Sequence, residues 1–250
     1  MTGLRVEGAC VDRAGSPVVH DVDLDVAAGK VTVLLGANGV GKSTLLDGIA
    51  AVAPLRSGQV FLDGADIGRR SRRRRVRTGL AYVQQGREVF GELTVEENLL
   101  VAAPRRRIGR AFELFPELQP RAAVAASLLS GGEQQMLVLA RAMLGRPKIL
   151  MIDELSLGLA PVIVDRVLAT VAQLAAEGLG ILLVEQFADR ALAFGHQAAV
   201  MARGRIVLRG PAAELRSRPD ELQAAYLGGE TNPANPDSTA TEDSTREEQP

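Results

Sequence analysis

The sequence predicts an α/β fold on a mainly parallel sheet. Three short, continuously apolar segments, VTVLLG (31–36), KILMID (148–153) and GILLVEQ (180–186), read as strands covered on both faces. Helix-periodic runs lie between them, the clearest being STLLDGIAAV (43–52) and VIVDRVLATVAQLAAEG (162–178). Strand alternating with helix is the pattern that parallel sheets need for their crossovers.

The elements follow in chain order. In VHDVDLDV (19–26), Val22, Leu24 and Val26 alternate with Asp21, Asp23 and Asp25, which predicts a strand with one wet face. After Ala28-Gly29-Lys30 the chain enters the first buried strand. Residues 92–145 are mostly helical in pattern, with TVEENLLVAA (94–103) and GGEQQMLVLARAMLG (131–145) as the clearest pieces, so a helical insert is expected within the α/β core. AAVMARGRIVLRG (198–210) reads as a hairpin turning at Arg203-Gly204. Residues 230–250 carry six acids against the single Arg246 and no large apolar residue, too little to offset ordering entropy. The expected organisation is one folded region, 1–228, followed by a disordered acidic tail, 229–250.

Composition narrows the class. At 250 residues and 46% hydrophobic the chain is long enough for a sizeable core. Lys and Arg number 29 against 30 acids, so no global charge directs it to nucleic acid or membrane. Cys10 is the one cysteine, which excludes an internal disulfide and suits a reducing compartment. The opening MTGLRVEG has no apolar signal segment, and no run approaches the roughly 18 apolar residues of a membrane span. The expectation is a soluble cytosolic protein whose membrane role, if any, runs through a separate partner. One local exception is Arg69–Arg77, arginine at seven of nine positions, which reads first as a solvated face, then as a contact with lipid headgroups or membrane subunits, and last as a contact with nucleic acid.

GANGVGKS (36–43) matches G-x-x-x-x-G-K-[ST] in full, with a buried strand leading in and a helix leading out. Such a loop turns successive N–H groups into an anion nest at the positive end of a helix. The phosphates would lie against Gly36, Ala37, Asn38, Gly39, Val40 and Gly41, with Thr44 in the first helical turn. Lys42 would reach the β- and γ-phosphates, and Ser43 would help hold Mg²⁺. Asp153 and Glu154 end a buried strand, where charge is expensive without a task; Asp153 suits the metal shell and Glu154 the attacking water. LLSGGEQQ (128–135) places a serine and two glycines at the mouth of a helix, either an ordinary N-cap or an anion site.

Taken in order, GANGVGKS, YVQQ (82–85), LSGGEQQ (129–135) and ILMIDE (149–154) resemble the ATP-binding cassette (ABC) family of ATPases. The resemblance spans roughly residues 4–228. It implies a P-loop NTPase cassette with a mainly parallel sheet core, an antiparallel β subdomain and a helical subdomain near 92–145, using ATP and Mg²⁺. It makes Ser130, Gly131 and Gly132 a signature motif facing the ATP of a second cassette packed head to tail. It makes Gln85 the Q-loop glutamine that touches Mg²⁺ or water and contacts a membrane subunit, with Gln84 beside it. SLGL (156–159) becomes the D-loop, and Gln186 takes the switch position that is usually histidine. Glutamine hydrogen-bonds a γ-phosphate but carries no proton. Departures are Leu155 where proline usually follows the Asp-Glu pair, and no adenine-stacking aromatic upstream of the loop. Arg13 lies near that place, either stacking through its guanidinium or solvated.

QGREVF (85–90), LTVEENLL (93–100), LSLGLAP (155–161) and LLVEQ (182–186) are similar to one subgroup, the second ATPase subunit of branched-chain amino-acid importers. Glutamine at the switch position is common there; Phe187 and Gly91 stand where Asn and Pro are usual. The subgroup implies a second cassette (a paralogue or another copy), two membrane-spanning permease subunits, a separate solute-binding protein, no nucleic acid, and a place on the inner face of the cell membrane. Residues 86–100 would form part of the docking surface. A urea-importer ATPase is the nearest alternative. An exporter cassette fits the core motifs but less well the subgroup words. DNA-repair cassettes insert long coiled coils between the two phosphate motifs, whereas Thr44 and Ser130 are 86 positions apart, and translation cassettes come in pairs on one chain.

Overall fold

A computed structural model of the chain describes residues 2–226. The acidic tail and the end of the region expected to fold lie outside the described residues. β1 (Gly3–Arg13) and β2 (Ser16–Ala27) pair antiparallel, and β3 (Val31–Leu35) follows as the first buried strand. α1 (Lys42–Ala50) leads to β4 (Leu55–Leu62) and the short β5 (Ala65–Asp66), which complete an antiparallel sheet in the order β2-β1-β4-β5. α2 (Arg72–Thr78) precedes β6 (Leu80–Val83); then come α3 (Val95–Ala102), α4 (Gly109–Leu114) and α5 (Gly131–Leu144). β7 (Ile149–Asp153), α6 (Pro161–Ala176), β8 (Gly180–Glu185) and α7 (Ala188–Phe194) continue the α/β alternation. β9 (Gln197–Ala202) and β10 (Arg205–Pro211) form the expected hairpin, with Arg203 and Gly204 both at positive φ. α8 (Ala212–Arg216) and α9 (Pro219–Tyr226) end the described chain.

The main sheet runs β10-β9-β3-β8-β7-β6, parallel except for β10. Its strands read as unbroken apolar runs because alternate residues enter different cores. Val33, Leu35, Leu150, Ile152, Ile181 and Leu183 pack with the helices, while Leu34, Ile149, Met151, Leu182 and Val184 pack against α1 and the antiparallel sheet. β2 shows the one-sided pattern its aspartates predict, with Val22, Leu24 and Val26 buried.

Residues 92–145 are helical as expected, but Pro104, Pro116 and Pro120 break the middle into short 3₁₀ turns. α3 and α5 start on capping boxes, Thr94 with Glu97 and Ser130 with Glu133. Asn98 is fully buried in α3 and donates to the carbonyls of Phe90, Leu93 and Thr94 while accepting from Phe90 N–H at 2.9 Å, which holds residues 90–94 in place.

The arginine run is mostly exposed, with one exception. Arg75 is 3% exposed and donates to the carbonyls of Gly48 and Ile49 at the end of α1, and to those of Gly68 and Arg70. The last carbonyls of a helix lack intrahelical partners and carry its negative end, so a buried guanidinium there satisfies both. Among the described residues no helix is long and apolar enough to cross a membrane.

Candidate functional site

Strand register gathers the candidates. Leu35 lies opposite Glu185 and Asp153 opposite Val184, so the loops after β3, β7 and β8 leave the sheet at one edge. This is where ligands of parallel α/β sheets sit.

The phosphate loop joins β3 to α1. Gly36, at φ 155, passes so close to β9 that a Cβ there would meet the Met201 carbonyl at 2.4 Å. Asn38 and Gly39 are exposed and Ala37 and Val40 half-buried, whereas Gly41, Lys42 and Thr44 are buried at the start of the helix. Lys42 folds back over the loop, its Nζ donating to the Gly36 carbonyl at 2.7 Å and the Ala37 carbonyl at 2.9 Å. Glu154 lies 3.9 Å from that ammonium. Burial pushes the Lys42 pKa down, against the pull of Glu154, Asp153 and Glu185.

Asp153 is 2% exposed at the end of β7. Its Oδ2 accepts from Tyr82 Oη at 3.4 Å, and its buried Oδ1 has no partner. Burial raises its pKa, the nearby Ser43 hydroxyl opposes that, and the charge of Glu154 adds to it. An orphaned buried carboxylate oxygen beside a serine hydroxyl is the kind of oxygen donor set Mg²⁺ takes, with phosphate and water completing the shell. The fit is therefore good. Glu154 adopts φ 49, a left-handed conformation rare outside glycine, which turns its side chain out of the strand direction. Its Oε2 accepts from Gln85 Nε2 at 2.6 Å. Of the adjacent glutamines, Gln85 thus reaches Glu154, whereas Gln84 lies near Asp47.

Lys42, Ser43, Asp153, Glu154 and Gln85 therefore converge. Ser130, Gly131 and Gly132 do not join them: among the described residues no hydrogen bond or ion pair links the two groups. At the mouth of α5, Ser130 Oγ accepts from Glu133 N–H while the Glu133 carboxylate accepts from Ser130 N–H. The N–H groups of Gly131 and Gly132 have no acceptor among the described residues. Gln186 follows β8, and its carbonyl accepts from Tyr226 Oη at 3.0 Å. Arg13 is exposed at the end of β1.

Some groups of the site escape a reading of the sequence. Glu185, 4% exposed, accepts from Ser156 N–H at 3.0 Å and Ser156 Oγ at 2.6 Å, fixing the turn after Glu154 from the switch strand. Leu155, standing where proline was expected, is buried in the helical-side core, so packing and Glu185 set that turn. Arg87 donates to the Leu157 and Gly158 carbonyls at 2.7 and 3.0 Å. Tyr226 donates to the Gln186 carbonyl, and burial pushes its pKa up to about 12. Charged and phenolic side chains that bond distant backbone groups leave no spacing pattern; the only signal is a charged residue inside an apolar word, such as LLVEQ.

Known proteins place the chain. A family model for ABC transporters matches residues 19–156. The chain is 40% identical over 218 residues to BraG, the high-affinity branched-chain amino acid transport ATP-binding protein of Pseudomonas aeruginosa, covering 84% of this chain and 93% of BraG. It is 41% identical over 209 residues to LivF, a probable branched-chain amino acid transport ATP-binding protein of Archaeoglobus fulgidus, covering 79% and 87%. The ADP conformation of MJ1267, an ATP-binding cassette of an ABC transporter, matches with TM-score 0.81 and 26% identity over 91% of this chain and 99% of that one. The chain belongs to the ABC transporter family, as an ATP-binding cassette.

Proposed function

We propose that this cassette is the ATP-hydrolysing subunit of an importer of branched-chain amino acids, working as one half of a cassette dimer on two membrane-spanning permease subunits. The solute assignment is carried by one observation, the 40–41% identity to BraG and LivF over most of each chain. Support for the chemistry comes from the convergence of Lys42, Ser43, Asp153, Glu154 and Gln85 on one edge of the sheet.

In this reading the phosphates of ATP lie on the N–H groups from Gly36 to Thr44. Lys42 exchanges the Gly36 and Ala37 carbonyls for β- and γ-phosphate oxygens. Ser43, Asp153 and Gln85 would hold Mg²⁺, which when bound would neutralise charge on the phosphates. Glu154 orients a water against the γ-phosphorus and takes its proton as the bond to the β-phosphate oxygen breaks, giving ADP and inorganic phosphate. Gln186 hydrogen-bonds the γ-phosphate and transfers no proton. Ser130 and the free N–H groups of Gly131 and Gly132 contact the γ-phosphate of the partner's ATP, at the positive end of α5. Each composite site thus needs two cassettes, the second being a paralogue or another copy. Residues 86–100 dock on a permease subunit at the inner face of the cell membrane, and a separate solute-binding protein delivers the amino acid.

Uptake of radiolabelled leucine and of urea, in cells whose only copy carries Lys42→Ala, tests the assignment. Loss of leucine uptake with urea uptake intact is expected. Loss of urea uptake alone would keep the ATPase and replace the solute; no change in either would put the cassette in another transporter.

A further inference from the structure

Residues 86–93, between β6 and α3, form a strap held at two places. At its far end Phe90 is clasped by Asn98 of α3, and Arg141 of α5 lies over the Phe90 ring at 5.0 Å while donating to the Glu88 carbonyl. That end is therefore tied to the helix that carries Ser130–Gly132. At the near end stands Arg87, held at φ 53, a backbone conformation uncommon for arginine. Its guanidinium donates to the Leu157 and Gly158 carbonyls and forms no ion pair among the described residues. It also lies against the first residue of α5: a Cβ on Gly131 would meet Arg87 Nη1 at 2.5 Å. The same turn, 155–158, is held from its other side by Glu185 through Ser156.

We propose that Arg87 is a positioning residue of the composite ATP site, coupling the docking strap 86–93 to the 155–158 turn and to the mouth of α5. It touches none of the residues that converge around Lys42, so it acts on the geometry of the turn and the helix mouth. A shift of the strap pulls on two carbonyls of the turn that directly follows Glu154, and on the glycine whose free N–H faces the partner's phosphate. A planar guanidinium suits this task because one nitrogen bridges both carbonyls while the other lies flat against a residue without a side chain. A lysine ammonium could reach both carbonyls, as Lys42 Nζ does in the phosphate loop, but would lack the second nitrogen that lies against Gly131.

This inference rests on the proposed function, and the test separates the two. The assembled transporter is reconstituted in lipid vesicles with leucine-loaded binding protein, and ATP turnover, leucine uptake and ATP affinity are measured for Arg87→Ala, Arg87→Lys and Lys42→Ala. For Arg87→Ala the expected result is ATP affinity within about twofold of the parent and a fall of about tenfold in stimulated turnover, the equivalent of one charge-assisted hydrogen bond. Arg87→Lys is expected to fall between the two. Wild-type stimulation in both Arg87 variants, with Lys42→Ala inactive, overturns the role of Arg87 alone. Loss of ATP affinity and thermal stability in step with turnover in both variants reduces Arg87 to a structural contact, and equally overturns it. Undiminished turnover in Lys42→Ala overturns the ATPase reading beneath it.

Discussion

Glu154→Gln separates binding from hydrolysis more cleanly than any other single change. The amide keeps the size of the side chain and can still meet Gln85 at the 2.6 Å contact after an amide flip, so the turn keeps its shape. What disappears is a proton acceptor and a negative charge 3.9 Å from Lys42 Nζ. A positioned general base contributes ~10²–10⁴ in rate, about 3–5 kcal/mol of barrier. Losing the charge works the other way on binding, because the γ-phosphate no longer faces a carboxylate. A unit pair at ~4 Å is worth on the order of 4 kcal/mol gross at an effective dielectric near 20, so even a fraction of it tightens ATP several-fold. The expected outcome is single-turnover phosphate release slowed by about a hundredfold or more, with ATP affinity equal or higher. Phosphate release and fluorescent-ATP titration on the same preparation read both quantities. Turnover equal to the parent would remove Glu154 from the mechanism; loss of binding would make it a structural residue.

Other consequences concern stability and pH. Arg75→Ala leaves the carbonyls of Gly48, Ile49, Gly68 and Arg70 without their donor and is expected to cost about 2–4 kcal/mol by urea unfolding, whereas Arg73→Ala in the same run stays within about 0.5 kcal/mol. Asn98→Ala is expected to cost a similar ~2–4 kcal/mol and to expose residues 90–94 to proteolysis. Asp153→Asn is expected to raise the melting temperature of the nucleotide-free protein while abolishing Mg²⁺-dependent turnover. The sign follows from burial: a carboxyl whose folded pKa lies above its ordinary value near 3.8 favours the fold only while protonated, and that contribution is lost as pH rises through the folded pKa. The stability advantage of Asp153→Asn is therefore largest at neutral pH and shrinks toward pH 4, as calorimetry across that range would show.

How far the sequence discloses this molecule depends on how local each signal is. β3, β7 and β8 were legible because both faces of the sheet are covered, leaving few polar positions within them besides Thr32 and the terminal Asp153 and Glu185. The phosphate loop was legible because a nest of N–H groups is made by consecutive residues. The mouth of α5 was ambiguous for a physical reason: Ser130 and Glu133 do form an ordinary capping box, and only the unpaired N–H groups of Gly131 and Gly132 set it apart. α7, α8 and α9 were not anticipated, since helices of five to eight residues complete too few turns to show a period. Arg75 was hidden among six other arginines of the same run; its burial depends on where α1 ends, a tertiary fact. Arg87, Glu185 and Tyr226 likewise join segments far apart in sequence, and three of the loops they join flank the phosphate site.

Hydrolysis is expected to need a phosphate loop from one cassette and the mouth of α5 from another. ATP turnover per subunit, measured against subunit concentration from a dilute monomeric preparation upward, tests it most directly. Turnover is expected to vanish in the monomer and to rise steeply as pairs form, or as a partner cassette is added. Full turnover by a strictly monomeric preparation would contradict it.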